Sequence, residues 1–143
     1  IFGESDSFTL GNGCLLRQGS EVTLFASGIM VKEALEAAEQ LAGQGISAEV
    51  INLHTIKPLD SELVLASVTK TGCCVTAENA NIIGGLGSAV SECVSGGAPC
   101  PVLRVGVEDR FGEVGKMDYL QKELHLTAAN IVQKAKEAVA LKR

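Results

Sequence analysis

The chain has no tryptophan and only 3% aromatic residues, so whatever core its 143 residues build is aliphatic. It has little positive charge: 12 Lys and Arg against 17 Asp and Glu leave a net charge of -5. No Lys/Arg stripe precedes the C-terminal stretch. A surface of that sign repels a phosphate backbone, which excludes nucleic acid as the expected partner. No apolar run approaches the roughly 18 residues needed to cross a bilayer, and the N-terminus lacks a basic segment followed by an apolar one. A membrane is therefore not expected either, and the sequence reads as cytoplasmic. The five cysteines form no CxxC pair, and Cys73 and Cys74 are adjacent. An odd, scattered set of that kind predicts reduced, buried thiols rather than a disulfide framework or a zinc site.

A chain of this length buries roughly 68–70% of the surface that its unfolded form exposes, enough for one domain without staples. The expectation is a single domain over 1–143, with 1–7 as a linker from a preceding domain. Opening on Ile1 in IFGESDSFTLGN, rather than on Met, suggests a piece of something longer.

Four short apolar runs recur: Val22 to Ala26, Ala48 to Leu53, Cys73 to Ala77 and Val102 to Val107. Their hydrophobicity is continuous rather than alternating, as in parallel strands covered on both faces. Between the first two, Val31, Ala34, Leu35, Ala38 and Leu41 recur at steps of three and four. They mark a helix that ends near Gly43 and Gly45. Asp60 and Ser61 are N-cap residues for a second helix stopped at Thr71-Gly72. A third runs from Leu86 to Val94 before Gly96-Gly97-Ala98-Pro99. After the last strand come a short helix around Met117 to Leu124 and one capped by Thr127. Upstream, Phe8 to Leu16 and the turn-like Gln18-Gly19-Ser20 predict an edge strand folded back antiparallel on the Val22 strand. The expected fold is a three-layer αβα sandwich, with a mostly parallel sheet of about five strands and one antiparallel edge strand.

Ligands and partners of such sheets gather at the carboxyl ends of the strands, here Ser27-Gly28, His54-Thr55, Glu78-Asn79 and Glu108-Asp109. Gly85-Leu86-Gly87 with Val90 is a near miss to the dinucleotide fingerprint GxGxxG, with Glu108 about twenty residues on as the ribose acid. Residues 79–83 separate the turn from the strand, however, and Val90 stands where the third glycine belongs. A structural or interface turn is favoured. Ser27, His54 and Glu78 supply a hydroxyl, an imidazole and a carboxylate, the groups of an acyl-transfer triad. FASGI is not the strained GxSxG elbow, so helix capping and backbone satisfaction are preferred readings. His54 and His125 lack acidic companions, which argues against a metal site. The loop Arg110-Phe111-Gly112-Glu113-Val114-Gly115-Lys116 spends a scarce aromatic outside the strands, which suggests an anchor against another surface or burial under the domain's own helices.

Three segments, VTLFASGIMVKEALEAAEQLAGQGISAEVINLHTIKPLDSE, VTAENANIIGGLGSAVSE and RVGVEDRFGEVGKMDYLQKELHLTAANIVQKAKEA, together resemble the C-terminal domain of transketolase. The layout is closest to the separate C-terminal subunit of split transketolases, and the match runs from about Phe8 to the end. TIKPLD and the GG-x-G turn also resemble 2-oxo acid dehydrogenase beta subunits and 1-deoxyxylulose-5-phosphate synthase. The FGE-x-G loop and LHLTAANIVQKAKEA lean toward transketolase.

The resemblance implies a thiamine diphosphate enzyme that moves two-carbon ketol units between sugar phosphates, with magnesium on the diphosphate. It also implies that the cofactor lies in preceding domains of paired subunits, giving a homodimer or heterotetramer. This domain would then supply packing and dimer contacts, with no catalytic, cofactor-binding or metal residue of its own and no activity alone. Glu78, Gly84, Gly85, Gly87, Arg110, Phe111, Gly112 and Glu113 carry over as interface candidates. Where the family often has histidine in an E-[DE]-H pattern, this chain reads Glu78-Asn79-Ala80, a departure that bears on any role of that imidazole. Two other readings stay open. One is an assembly domain of a 2-oxo acid dehydrogenase beta subunit, and the other a nucleotide-binding regulatory domain using the Gly84 to Gly87 turn.

Overall fold

The computed structural model describes residues 1–142. Its strands and helices follow in the order β1 (Cys14–Arg17), β2 (Val22–Ala26), α1 (Met30–Ala42), β3 (Ala48–Asn52), α2 (Ser61–Thr71), β4 (Cys74–Asn81), α3 (Leu86–Gly97), β5 (Val102–Val107), α4 (Met117–Glu123) and α5 (Ala128–Ala140). The sheet order is β1-β3-β2-β4-β5, with β1 antiparallel to β3 and the other four strands parallel. The three-layer sandwich with one antiparallel edge strand is therefore present.

Helices α2 and α5 are bounded by side-chain caps. The Asp60 carboxylate accepts the Leu63 N–H at 3.1 Å, while its other oxygen accepts the Gly13 N–H at 2.8 Å and ties the incoming chain to α2. Gly72 ends α2 at φ 78°, in the left-handed region that glycine enters without strain. Thr127 caps α5 through the Asn130 N–H at 3.3 Å, and Glu33 of α1 takes the Ala128 N–H at 2.8 Å, so α1 and α5 are joined end to side.

The two faces of the sheet carry separate cores. Val22, Leu24, Val50, Val75 and Val105 pack under α1 and α5. Phe25, Ile51, Cys74 and Leu86 pack under α2 and α3. Strands buried on both faces account for the unbroken apolar runs. A buried polar chain also runs between sheet and helix: the Thr23 hydroxyl meets Ser67 Oγ at 2.6 Å and Thr71 Oγ1 at 2.8 Å. Ser67 donates to buried Glu49 at 2.5 Å, and Lys70 completes the chain as the partner of Glu49.

Two expectations need correction. The edge strand is only Cys14–Arg17, and it pairs with β3 rather than hairpinning onto β2. Both edges of β2 are taken by parallel neighbours, and the incoming chain takes the outer edge of β3. Gln18-Gly19-Ser20 is accordingly a crossing and not a hairpin turn. A Cβ on Gly19 would lie 2.1 Å from the Glu49 nitrogen, and the Ser20 and Glu21 amides both donate to the Ser47 carbonyl. Strand β4 also continues past Ala77 to Asn81, with a register irregularity between those residues.

Candidate functional site

Because β2 to β5 run parallel, all four release their following loops at one end of the sheet. Glu78 sits there, only 3% exposed. Its Oε2 accepts the Leu86 N–H at 2.8 Å and its Oε1 accepts the Gly87 N–H at 3.1 Å. A carboxylate held against two orphan amides at the positive end of a helix is the arrangement that a bound phosphate would adopt. Here the protein's own side chain fills that place.

The glycines of the turn answer to the same packing. A Cβ on Gly85 would stand 2.1 Å from Glu78 Oε2, so only glycine lets the carboxylate reach the helix end. A Cβ on Gly87 would meet Arg104 Cδ at 2.7 Å and Thr76 Oγ1 at 2.9 Å, which sets how closely α3 lies on β4 and β5. Gly84, at φ 81°, has open space around its Cα, and its N–H donates to Ser88 Oγ at 2.8 Å. The dinucleotide reading of this turn therefore fails on geometry, since the amides that would face a phosphate already face Glu78.

Nor is there an acyl-transfer triad. With both Glu78 oxygens on α3, the imidazole of His54 turns instead to Thr55 Oγ1 at 3.1 Å, while the Phe8 ring packs edge-on against it at 5.1 Å. Among the described residues no hydrogen bond joins Ser27, His54 and Glu78. No group of three or more His, Cys, Asp or Glu side chains there could hold a metal ion.

What this end of the sheet does present is apolar surface. Ile29 follows β2, Ile56 follows β3, Ile83 follows β4, and Phe111 and Val114 follow β5, all exposed. Ile83 is 62% exposed, Phe111 98% and Val114 fully so. Met117 and Tyr119 on α4 are exposed as well. Phe111 is thus not buried under its own helices. Beside it Arg110 is held by Glu113 at 3.2 Å and Glu123 at 3.6 Å, and the Glu113 carboxylate, as acceptor for the Tyr119 hydroxyl, pushes that hydroxyl upward in pKa. A Cβ on Gly112 would meet nothing within 4 Å, so the loop is open at that position.

The chain's opening residues lie at this end too. Cys14 is level with Asn52 at the end of β3, and Phe8 reaches His54. Phe2 stacks on Phe8 at 4.9 Å, and both remain substantially exposed. Sequence reasoning picked out Phe111 from the scarcity of aromatics but missed Ile83, Val114 and Met117. Apolar side chains in loops, for Ile83 and Val114, and at the start of α4, for Met117, were the available signal. Helix capping was the preferred reading of Glu78, but the helix end it caps was not legible, because the seven residues between Glu78 and Leu86 hide a contact that exists only after β4 turns into α3.

Known proteins match this arrangement. The family described as "Transketolase, C-terminal domain" matches residues 11–131. The chain is 59% identical over 142 residues to a 6-deoxy-6-sulfo-D-fructose transketolase subunit of Clostridium sp. (strain MSTE9), covering 99% of this chain and 44% of that protein. It is 42% identical over 135 residues to the 1-deoxy-D-xylulose-5-phosphate synthase of Heliobacterium modesticaldum, covering 94% of this chain and 21% of that one. A solved structure of a split-gene transketolase, described as an inactive β4 tetramer, superposes with TM-score 0.94 at 44% identity, over all of this chain and 46% of that one. The chain thus spans less than half of these relatives. On that coverage and those identities, the chain belongs to the transketolase C-terminal domain family.

Proposed function

We propose that this chain is the C-terminal part of a transketolase-type enzyme that transfers two-carbon ketol units between sugar phosphates, and that it works by assembly rather than by chemistry of its own. The observation that carries this is the row of exposed apolar residues at the carboxyl ends of the strands, beside a helix end already closed by Glu78. A ligand site is concave with a few unsatisfied polar groups, whereas an interface core is apolar with aromatic anchors. This face is of the second kind.

The partner we assign to it is the thiamine-binding part of the same enzyme, joined through residues 1–7 or carried on a separate subunit. The matched relatives extend well beyond the region aligned here. The first residues of this chain lie at the same end as the apolar row, which supports a partner docked at that end. The assembly would be a homodimer or a heterotetramer. Glu78, Gly84, Gly85 and Gly87 shape the face from within, and Arg110, Phe111, Gly112 and Glu113 make contact.

Thiamine diphosphate and magnesium, which the family implies, belong in this proposal to the partner. The residues of this chain do not suit them, because both oxygens of the buried carboxylate at the strand ends are committed to α3. Diphosphate capture at that helix would have to displace Glu78. The five free thiols suit a reducing compartment, and we place the enzyme in the cytoplasm.

The test is reconstitution. The chain is assayed alone and with its thiamine-binding part, using xylulose 5-phosphate as donor and, because of the relative's name, 6-deoxy-6-sulfo-D-fructose as a second donor. Ketol transfer only in the mixture is the expected result. Turnover by these residues alone, with cofactor added, would overturn the reading.

A further inference from the structure

Ile83 projects from the assembly face, yet the turn that carries it is tied to both β5 and α3. Strand β4 runs on to Asn81, level with Val107, and the Ile82 N–H donates to the Val107 carbonyl at 3.0 Å. The Ile83 N–H donates to the side-chain oxygen of Asn81 at 2.9 Å, which closes an Asx turn, and the Gly84 N–H reaches Ser88 Oγ of α3 at 2.8 Å. The Ile82 carbonyl accepts Arg104 Nη1 at 3.1 Å. Half-buried Ile82 lies against β5 at Gly106, where a Cβ would stand 2.8 Å from Ile82 Cγ2 and 3.0 Å from the Ala80 carbonyl oxygen. The loop that carries Phe111 and Val114 is built differently. Among the described residues, 111–115 make no backbone hydrogen bond, and Arg110 pairs only with Glu113 of the same loop and Glu123 of α4.

We infer that Ile83 is the preformed anchor of the assembly face, entering an apolar pocket of the thiamine-binding part, and that Arg104 is a positioning residue that holds it ready. This rests on the assembly proposed above and adds which of its contacts is fixed before the partner arrives. A side chain on a turn that is already ordered loses little backbone freedom on insertion, so the burial of its apolar surface goes into affinity. An unbraced loop must first be ordered, which offsets part of what its aromatic ring contributes.

Arg104 is suited to that task by where its two ends lie. Its stem crosses α3 at Gly87, where a Cβ would stand 2.7 Å from Arg104 Cδ, and its guanidinium ends on the Ile82 carbonyl. One exposed side chain of β5 thereby joins the strand, the start of α3 and the turn before it. Arg104 acts through Ile82, so its effect on docking should vanish when Ile83 has no side chain to insert.

The test has two arms. In the unmodified chain, which needs no variant to fold, the amides of Ile82, Ile83 and Gly84 should exchange with solvent deuterium about tenfold or more slowly than those of Phe111 and Gly112. Arg104→Ala should remove most of that difference, and Arg104→Lys, which keeps a donor, should retain it. Against the thiamine-binding part, calorimetry should show Ile83→Ala binding about 30-fold more weakly with its unfolding midpoint unchanged. Arg104→Ala should weaken binding about tenfold in the otherwise unmodified chain and not at all in the Ile83→Ala background, a dependence that a role in folding alone would not produce. Equal exchange in the two loops, or an Arg104→Ala effect of the same size in both backgrounds, would overturn the inference. Full affinity in Ile83→Ala alongside a loss in Phe111→Glu would overturn it and leave the assembly reading standing, whereas full affinity in both variants would remove that reading as well.

Discussion

Glu78 accepts the backbone N–H of Leu86 at 2.8 Å, so a side chain from the last part of β4 stands where the first turn of α3 would otherwise receive an anion. This contact links the strand to its following helix and removes the helix end from ligand chemistry. Its consequences reach the neighbouring glycine, since Gly85 is the residue that the carboxylate passes.

Replacing Glu78 with Ala should leave two buried amides without an acceptor, at a cost of about 2–4 kcal/mol. Gly85→Ala should push the carboxylate off the same amides and cost a similar amount. The two changes act on one contact, so the double variant should lose clearly less than the sum. Urea unfolding of the four proteins checks this, and strict additivity would mean that the cap does not hold α3.

Two glycines of α3 should respond in opposite directions. Gly87→Ala forces a Cβ into Arg104 and Thr76, and overpacking of that kind costs about 1–3 kcal/mol. Gly96 has nothing within contact distance of an added Cβ and lies inside the same helix. Gly96→Ala should therefore stabilise the protein by about 0.5–1 kcal/mol through helix propensity. Thermal melts of the pair decide whether close approach or helix propensity governs each position.

Alkaline pH should weaken the fold through Cys73. Burial raises its thiol to about 11 from an ordinary 9.0. A folded-state pKa above the unfolded one gives stability that is complete below the unfolded value and disappears as pH climbs toward the folded one. The loss should fall between pH about 9 and 11 and amount to the order of 1 kcal/mol. Cys73→Ala should flatten the pH profile in that window, while lowering stability at neutral pH through the lost packing.

Much of the fold was legible because each layer carried its own signal. The helix stripe Val31, Ala34, Ala38 and Leu41, the Asp60 and Thr127 caps and the Gly72 stop all act within a few residues, where sequence spacing and spatial neighbourhood coincide. The pairing of β1 was not legible, because a tripeptide such as Gln18-Gly19-Ser20 suits a hairpin or a crossing equally. Only the occupancy of both β2 edges decides between them. At the strand ends, capping was the preferred reading of Glu78, but not which amides it would cap. The pairing of Cys74 with Val102 follows from the register of β4 on β5, which no local pattern encodes.

The assembly face makes the sharpest claim about function, since its residues contribute little to the fold that displays them. Phe111 and Val114 touch almost nothing in this chain, so Phe111→Glu and Val114→Glu should change its unfolding free energy by less than about 0.5 kcal/mol. Arg110→Ala removes only exposed ion pairs and should do no more. Against the thiamine-binding part the same substitutions should diverge. A buried aromatic anchor is worth about 2–4 kcal/mol at an interface, so Phe111→Glu should weaken association about 30-fold or more, with ketol transfer falling in step. Titrating the two parts by calorimetry, with activity read in parallel, separates a docking defect from a folding one. Full affinity in the Phe111→Glu, Val114→Glu double variant would show that the partner sits elsewhere.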